Sequence, residues 1–164
     1  MSIRRITRHL VQHHWWAKQV FPPDVLDQIE QAIKQGETTH SGQVRFVVEG
    51  ALDGRPLFRN QPARERALDV FSLLRVWDTE HNNGVLIYLL FADHAVEIVA
   101  DRGVHARVEQ PVWRAICQEM ESAFGTGHYE AGVINGIKAV TQHLTKHYPA
   151  GGGRNELPDR PVII

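Results

Sequence analysis

Oxygen-bearing side chains that suit a hard metal cation cluster in two short segments of the sequence. Residues 78–83 read Asp-Thr-Glu-His-Asn-Asn, and residues 101–103 read Asp-Arg-Gly. Proteins bind Ca²⁺ and Mg²⁺ through several carboxylate, amide and carbonyl oxygens. The candidate metal ligands are the two aspartates, the glutamate and the two asparagines of these segments: Asp78, Glu80, Asn82, Asn83 and Asp101.

The predicted strands around these segments would bring them together. A nearly continuous apolar run at 85–91 predicts a buried strand, and residues 92–94 predict a tight turn into a second strand at 95–100. In such a hairpin the end of the second strand lies beside the start of the first, so residues 78–83 should face residues 101–103. The opposite edge of the sheet would collect a smaller polar set, Glu49, Asp93 and His94.

The same loop also has a purely structural explanation. The spacing of Asp78, Glu80 and Asn82 resembles the first half of an EF-hand loop. However, Asn83 stands where that loop needs its turn glycine, and Leu89 stands where it needs a bidentate glutamate. Asp and Asn side chains also bond local backbone in turns between a helix and a strand. A metal site and a backbone-bonded turn therefore both remain open.

The ten histidines suggest a second kind of metal site. His9 and His13 are four residues apart on a predicted helix, as are His143 and His147. Such pairs bind a borderline metal weakly, whereas a stable zinc site needs three or four ligands. Exposed helix positions are the simpler interpretation of both pairs.

Residues 1–21 predict an amphipathic helix with an unusual charge pattern. The segment carries four basic residues, no acidic residue and the pair Trp15-Trp16, which is typical of a helix lying on an anionic membrane surface. The simpler prediction is a helix docked on its own domain, with both indoles buried. Its core-facing stripe would comprise the positions spaced by three and four: Ile3, Ile6, Leu10, His14, Ala17 and Phe21.

Composition excludes several functional classes. The net charge of -1 argues against a general nucleic-acid binder. The single cysteine, Cys117, allows neither an internal disulfide framework nor a Cys-based zinc site, and its place in an apolar helix predicts an inert thiol. The sequence has no P-loop, G-x-G-x-x-G or G-x-S-x-G motif, so no catalytic nucleophile or nucleotide site is predicted and the catalytic residues stay unknown.

The order of predicted elements gives the fold class. The order helix, helix, strand, helix, strand, strand, helix, helix predicts an α/β fold with a mixed sheet of about four strands and helices on both faces. We divide the chain into an amphipathic helix (1–21), an α/β domain (22–148) and an extended tail (149–164). Within the domain, we expect a loop at 50–62, a helix at 63–77 and an edge strand at 105–108. The tail should end with its last three side chains in an apolar groove of its own domain or of a neighbouring molecule.

No segment of the sequence predicts a membrane span. The longest apolar run, Val85 to Ala92, is far shorter than the ~20 residues that a spanning helix needs. The first twenty residues lack the apolar core of a secretory signal. We therefore expect a cytoplasmic protein.

Several of these segments together resemble the TPM domain family. The resemblance covers roughly residues 24–148, and the Asn-Asn-Gly-Val-Leu sequence at 82–86 is its most specific part. Residues 155–159 further resemble the tail of the short soluble bacterial branch of that family. The matching segments are 41–46, 82–90 with Asp93, 97–99, 101–104 and 127–136.

The resemblance implies a mixed sheet wrapped by helices, divalent-metal binding in some members and acid phosphatase activity in plant members. Bacterial relatives often accompany LemA-type membrane proteins, so a LemA-type or membrane-anchored TPM protein is the implied partner. Two hypotheses follow. The first is an accessory domain that binds Ca²⁺ or Mg²⁺ through the five candidate ligands. The alternative is a metal-dependent phosphomonoesterase at the same edge, in which Arg102 would hold the phosphate oxygens.

Overall fold

The computed structural model describes residues 3–11, 14–151 and 154–164. Over these ranges the chain forms eight α-helices, one 3₁₀ turn at Phe91–Asp93 and four strands. The helices are α1 (Ile3–Val11), α2 (His14–Val20), α3 (Pro23–Glu37), α4 (Gly54–Phe58), α5 (Ala63–Leu73), α6 (Arg102–His105), α7 (Gln110–Gly125) and α8 (Tyr129–His147). The strands are β1 (Gln43–Glu49), β2 (Gly84–Leu90), β3 (Ala95–Ala100) and β4 (Val162–Ile163).

The four strands form one mixed sheet in the order β3-β2-β1-β4. β1 pairs in parallel with β2, with Gln43 opposite Gly84, and β2 pairs antiparallel with β3, with Val85 opposite Ala100. The parallel pair requires a crossover connection, which α4 and α5 supply. The predicted α/β class with a mixed sheet is confirmed.

Both faces of the sheet are buried, because helices cover each of them. On one face, alternate side chains such as Phe46 and Ile87 pack against α3, α7 and α8. On the other face, Val47 and Leu86 pack against α4 and α5. All side chains of β1 and β2 are buried, which explains why residues 85–91 form a continuous apolar run rather than an alternating pattern.

Several predicted element boundaries are wrong. The predicted loop at 50–62 contains the short helix α4, and the predicted edge strand at 105–108 is replaced by the end of α6 and a turn. The predicted helix at 63–77 ends at Leu73, because Arg75 takes a left-handed backbone conformation with φ of 53°. The fourth strand of the sheet comes instead from the carboxyl-terminal tail.

The tail lies on its own domain. Val162 and Ile163 pair in parallel with Val47 and Val48 of β1, while Leu157 is buried in the core beneath the second face. The Gln43 side-chain oxygen accepts hydrogen bonds from the backbone N–H groups of Glu156 and Leu157. The expected docking of the tail on its own domain is thus confirmed, although it adds a strand rather than filling a groove.

The amino-terminal segment departs from its predicted packing. It forms two helices, and residues 12 and 13 between them lie outside the described residues. Ile3 and Leu10 of the predicted core-facing stripe are exposed, whereas Ala17 and Phe21 are buried. The prediction that both indoles are buried is wrong, because Trp15 is 59% exposed and Trp16 is 46% exposed. Throughout the described ranges, no helix is both long enough and apolar enough to cross a bilayer.

Candidate functional site

The start of β2 and the end of β3 bring the two candidate segments together. The backbone N–H of Asp101 donates to the carbonyl oxygen of Gly84 at 2.8 Å, which continues the antiparallel pairing beyond the last strand residue. One step further, the N–H of Gly103 donates to the carbonyl oxygen of Asn82 at 3.1 Å. Asn82 has a φ of 50°, a left-handed conformation that asparagine tolerates better than most residues.

Asn83 and Asp101 are buried at this junction, and each has one side-chain oxygen without a partner. The Asn83 amide donates from Nδ2 to the carbonyl oxygen of Ser41 at 2.8 Å, and its Oδ1 has no hydrogen-bond partner. Asp101 Oδ1 accepts from the N–H of Arg102 at 2.7 Å and so caps α6, while its Oδ2 has no partner. Since buried polar atoms are nearly always satisfied, two such oxygens on neighbouring strand ends call for an explanation.

Close packing around Gly103 fixes the geometry of the junction. A Cβ atom at Gly103 would lie 2.5 Å from the carbonyl oxygen of Asn82 and 2.9 Å from the hydroxyl of Tyr148. Burial raises the pKa of Tyr148, Arg107 opposes that rise, and the carboxylate of Asp101 adds to it. Tyr148 is therefore a neutral hydroxyl beside the buried carboxylate, and it follows the end of α8, far from both candidate segments in sequence.

The remaining predicted site residues lie nearer to solvent. Asp78 has a half-exposed side chain that pairs with Arg75 at 2.7 Å. Glu80 is exposed, and its backbone N–H donates to the Glu156 carboxylate at 2.9 Å. Arg102 is exposed, and its Nε donates to Oδ1 of Asn82 at 3.0 Å. The structure thus brings the backbones of residues 82–84 and 101–103 together, joins the side chains of Asn82 and Arg102, and leaves Asp78 and Glu80 nearer to solvent.

Histidine clusters give no support for a second metal site. Among the described residues, no group of three or more His, Cys, Asp or Glu side chains is arranged to hold a metal ion. His13 lies outside the described residues, and His9 instead bonds to Leu52 and Asp93. His143 packs edge-on against the Trp113 ring.

A polar cleft of about 440 Å³ opens next to the candidate site, where α3 ends and the tail begins. Glu37 and Asp159 lie side by side in its wall, and Glu37 accepts from the N–H of Val44 at 3.0 Å. Burial raises the pKa of Glu37 to about 7; the Val44 hydrogen bond opposes the rise and Asp159 adds to it. No local sequence pattern predicts this pair, because 122 positions separate its two residues and only the tail's pairing with β1 reveals their contact.

The predicted inert character of Cys117 agrees with its surroundings. Its side chain is buried on α7 in the core. Burial raises the pKa of the Cys117 thiol to about 12, and nearby Glu97 contributes to the rise. A thiol of that pKa is almost fully protonated at neutral pH and is a poor nucleophile.

The sequence of the chain matches a known protein family. A family model described as the TPM domain matches residues 17–143, which is more than half of the chain. The chain belongs to the TPM domain family. The matched range includes all of the candidate ligands, so the edge formed by β2 and β3 is part of the TPM domain itself. No curated protein matches the chain at a significant level.

Two solved structures show the same architecture. The BA42 protein from the psychrophilic bacterium Bizionia argentinensis is 27% identical, covers 86% of this chain and 93% of its own, and superposes with a TM-score of 0.75. The N-terminal domain of a protein from P. gingivalis is 20% identical, covers 76% of this chain and 78% of its own, and gives a TM-score of 0.59. The second likeness shows the fold alone.

Proposed function

We propose that this TPM domain binds one divalent cation, Ca²⁺ or Mg²⁺, between the start of β2 and the end of β3, and that it acts as a metal-dependent accessory domain. The observation that supports the proposal is the pair of unpartnered buried oxygens, Asn83 Oδ1 and Asp101 Oδ2. Leaving a buried polar atom unsatisfied costs about 1–3 kcal/mol. A hard cation would remove that cost, because amide and carboxylate oxygens are its preferred ligands.

The five predicted ligands would contribute unequally to metal binding, according to how deeply each is buried. Asn83 and Asp101 would supply the buried oxygens. Asn82 lies in the left-handed turn beside them, and its Oδ1 would have to leave its hydrogen bond with Arg102 to bind the ion. Asp78 and Glu80 are exposed, so they would approach the ion only from the solvent side and should contribute less. By binding ligands from both segments, the ion would hold the loop before β2 against the start of α6.

The accessory role extends the resemblance to the TPM family. We propose a LemA-type or membrane-anchored TPM protein as the partner, and the cytoplasm as the location. The bound ion would stabilise the β2–β3 edge as a recognition surface. Because a cation adds positive charge to this surface, an acidic contact on the partner would complement it.

Thermal unfolding with and without metal tests the proposed site. We expect millimolar Ca²⁺ or Mg²⁺ to raise Tm, because a ligand that binds only the folded state stabilises it by about 2.7 kcal/mol at one hundred times Kd. Asp101→Asn keeps an oxygen that caps α6 but removes the charge, so it should weaken the binding of CaCl₂, measured by calorimetry, about tenfold or more.

Asp78→Asn is the matched control for this experiment. It removes the same charge from a half-exposed residue of the neighbouring loop, and it should leave the metal-induced shift in Tm nearly unchanged. A Tm that does not respond to either metal would refute the proposal. An equal loss of binding in both variants would show that the loop attracts the ion only through its net charge.

Phosphomonoesterase activity is the second candidate, supported by one feature. The exposed guanidinium of Arg102 lies beside Asn82 at the rim of the proposed site, where it would meet a phosphate group. Since Cys117 is a poor nucleophile, such an enzyme would depend on metal-bound water. Turnover of an aryl phosphate that requires Mg²⁺ or Ca²⁺ and disappears in Asp101→Asn would establish the enzyme. Metal binding without turnover would establish the accessory domain.

A further inference from the structure

The amino-terminal helices expose a surface that neither the sheet nor the candidate metal site uses. α1 and α2 carry exposed large side chains with no acidic residue among them, since the first acidic residue of the chain is Asp24. We call this surface the amino-terminal face. Its exposed apolar members are Ile3, Leu10, Val11, Trp15 and Trp16.

Polar anchors on its inner side set the orientation of α1. His9 is buried, and its Nδ1 accepts from the N–H of Leu52 at 2.9 Å, so the proton of the neutral ring lies on Nε2. That Nε2 lies 3.0 Å from an oxygen of Asp93. Arg5 also bonds to Asp93, and its guanidinium reaches Asn60 at 2.9 Å. Arg5 and His9 are four residues apart and share one side of the helix, which therefore faces the domain.

This anchoring leaves three apolar residues of α1 and one cation, Arg4, facing outward. Ile3 and Leu10 are 79% and 54% exposed, and Val11 is 69% exposed. Arg4 is also exposed. At 100° per residue, it lies on the other flank of the outward side from Ile3 and Leu10. Exposed aliphatic side chains beside an exposed cation suit a helix that lies in a membrane interface.

α2 exposes aromatic side chains of its own. Ala17 and Phe21 are buried on the inner side of this segment. The Phe21 ring packs against the ring of Phe46 in β1, with 6.1 Å between the ring centroids. Trp15 and Trp16, with Lys18 beyond them, are exposed. Indole rings favour the level of lipid headgroups, because their apolar body and N–H suit both sides of that boundary.

The carboxylate beneath the face does not oppose an anionic partner. Asp93 is bonded by Arg5, Arg8 and His9. Burial alone would raise its pKa, but the hydrogen bonds from Arg5 and His9 outweigh that effect and lower the pKa of Asp93. α4, which α1 contacts, extends the pattern with exposed Phe58 between exposed Arg55 and Arg59.

We propose that the amino-terminal face binds peripherally to an anionic lipid bilayer, with Trp15 and Trp16 in the headgroup layer and Arg4 and Lys18 against the lipid phosphates. Charge complementarity favours this occupant, because α1 and α2 each expose a cation together with aliphatic or aromatic side chains and neither helix contains an acidic residue. Such binding requires no spanning helix and is separate from the proposed metal site, which lies at the opposite edge of the sheet.

Co-sedimentation of the full chain with sucrose-loaded vesicles tests the proposal, in EDTA so that metal binding plays no part. The probes are vesicles of phosphatidylcholine alone and vesicles with one part phosphatidylglycerol to three parts phosphatidylcholine. We expect binding to the anionic vesicles about tenfold tighter than to the neutral ones, falling as salt is raised, because each surface cation adds to the attraction. Inorganic phosphate at equal ionic strength should not compete.

Two variants and one matched control locate the binding surface. The double variant Trp15→Ala with Trp16→Ala, and separately Arg4→Glu with Lys18→Glu, should each reduce anionic-vesicle binding about tenfold or more, while Tm stays unchanged because the replaced side chains are exposed. Trp77→Ala is the control, since Trp77 is also 47% exposed and lies beside a cation, Arg75, at the other edge of the sheet. It should bind like the parent protein.

Three results would overturn the proposal. These are no binding to anionic vesicles, an equal loss of binding in Trp77→Ala, and unchanged binding when both amino-terminal tryptophans are replaced. Sedimentation velocity without lipid gives a fourth: a dimer that dissociates in the Trp15→Ala, Trp16→Ala variant would assign the face to a second copy of the chain.

Discussion

Arg66 holds the buried carboxylate of Glu49 at two points. Its Nε donates to Oε2 at 2.8 Å, and its Nη2 donates to Oε1 at 2.9 Å. The hydroxyl of Tyr88 donates to the same Oε2 at 2.5 Å. Burial raises the pKa of Tyr88 and the neighbouring Glu49 raises it further, so Tyr88 remains a donor at physiological pH. A charge at the end of β1 is therefore neutralised within the protein rather than by water.

Replacing Arg66 tests how much this pair contributes. Arg66→Met would leave the Glu49 carboxylate without its cation, and breaking a buried pair from one side costs about 3–5 kcal/mol. Arg64→Met on the same helix is the control, because Arg64 is more exposed and meets Glu97 at 3.5 Å, a pair expected to contribute about 1 kcal/mol or less. Urea unfolding of the two variants measures the difference, and similar losses would contradict the prediction.

Gly84 is required at the start of β2 because there is no room for a side chain. A Cβ atom there would lie 2.0 Å from the backbone oxygen of Val76. Gly84→Ala should therefore cost several kcal/mol, on the order of an overpacked core substitution or more. Gly125→Ala at the end of α7 meets no atom within 4 Å, and it should be neutral or stabilising by up to about 1 kcal/mol. Thermal unfolding that ranks the two variants equally would refute this explanation.

Glu37 makes stability depend on pH. Its folded pKa, about 7, lies above the ordinary value of 4.5, so the folded protein keeps a proton that the unfolded chain loses. The stabilisation is fully present below pH 4.5 and is lost as the pH rises to about 7. Each pKa unit is worth about 1.4 kcal/mol, which suggests on the order of 2 kcal/mol after partial solvent screening.

Glu37→Gln should remove this dependence, since the amide stays neutral and keeps an oxygen for the Val44 N–H. The variant should unfold at a higher temperature than the parent at pH 8 and at nearly the same temperature at pH 4. Glu30→Gln serves as the comparison. Glu30 lies on the same helix, and this variant removes only the charge of a residue that pairs with Lys34 at the surface. A variant that lost stability at pH 8 would show that the ionised Glu37 is stabilising.

Removing the last five residues should destabilise the sheet. Truncation after Asp159 deletes β4 and two backbone hydrogen bonds of Ile164. The Ile164 N–H donates to the carbonyl of Val48 in β1 at 2.9 Å, and the Ile164 carbonyl accepts from the N–H of Gly50 just after β1 at 3.0 Å. Each half-buried apolar side chain contributes roughly 1 kcal/mol, so Tm should fall by several degrees. Arg160→Ala removes only surface pairs with Asp27 and Glu30 and should cause no measurable change. Unchanged Tm on truncation would contradict a structural role for β4.

The hairpin was predictable because its evidence is local. The apolar run of β2, the turn at Ala92 to His94 and the polar residues Asn83 and Asp101 at the strand ends all fall within twenty residues of sequence. Antiparallel pairing then fixes which ends meet, so the proximity of Asn82 and Asp101 follows without further information. Whether they bind a metal is still a prediction.

Long-range contacts were not predictable from local patterns. β4 has only two paired residues, too short for an alternation signal, and its partner Val47 lies more than a hundred positions away. The contact between Glu37 and Asp159 depends on that pairing. The helical period of α1 was predicted correctly, but the side of the helix that faces the domain was not. That side is set by the hydrogen bonds of His9 to Leu52 and Asp93 rather than by hydropathy.

The order of strands in the sheet has a consequence during synthesis on the ribosome. β1 lies between β2 and β4, and β4 is made only after residues 101–161 have left the peptidyl-transferase centre. Until then, the outer backbone groups of β1 around Val47 and Val48 have no strand to pair with, although β2 is already available on the other side. An open strand edge attracts other nascent chains. The nascent protein therefore carries an open strand edge at Val47 and Val48 until β4 pairs with them.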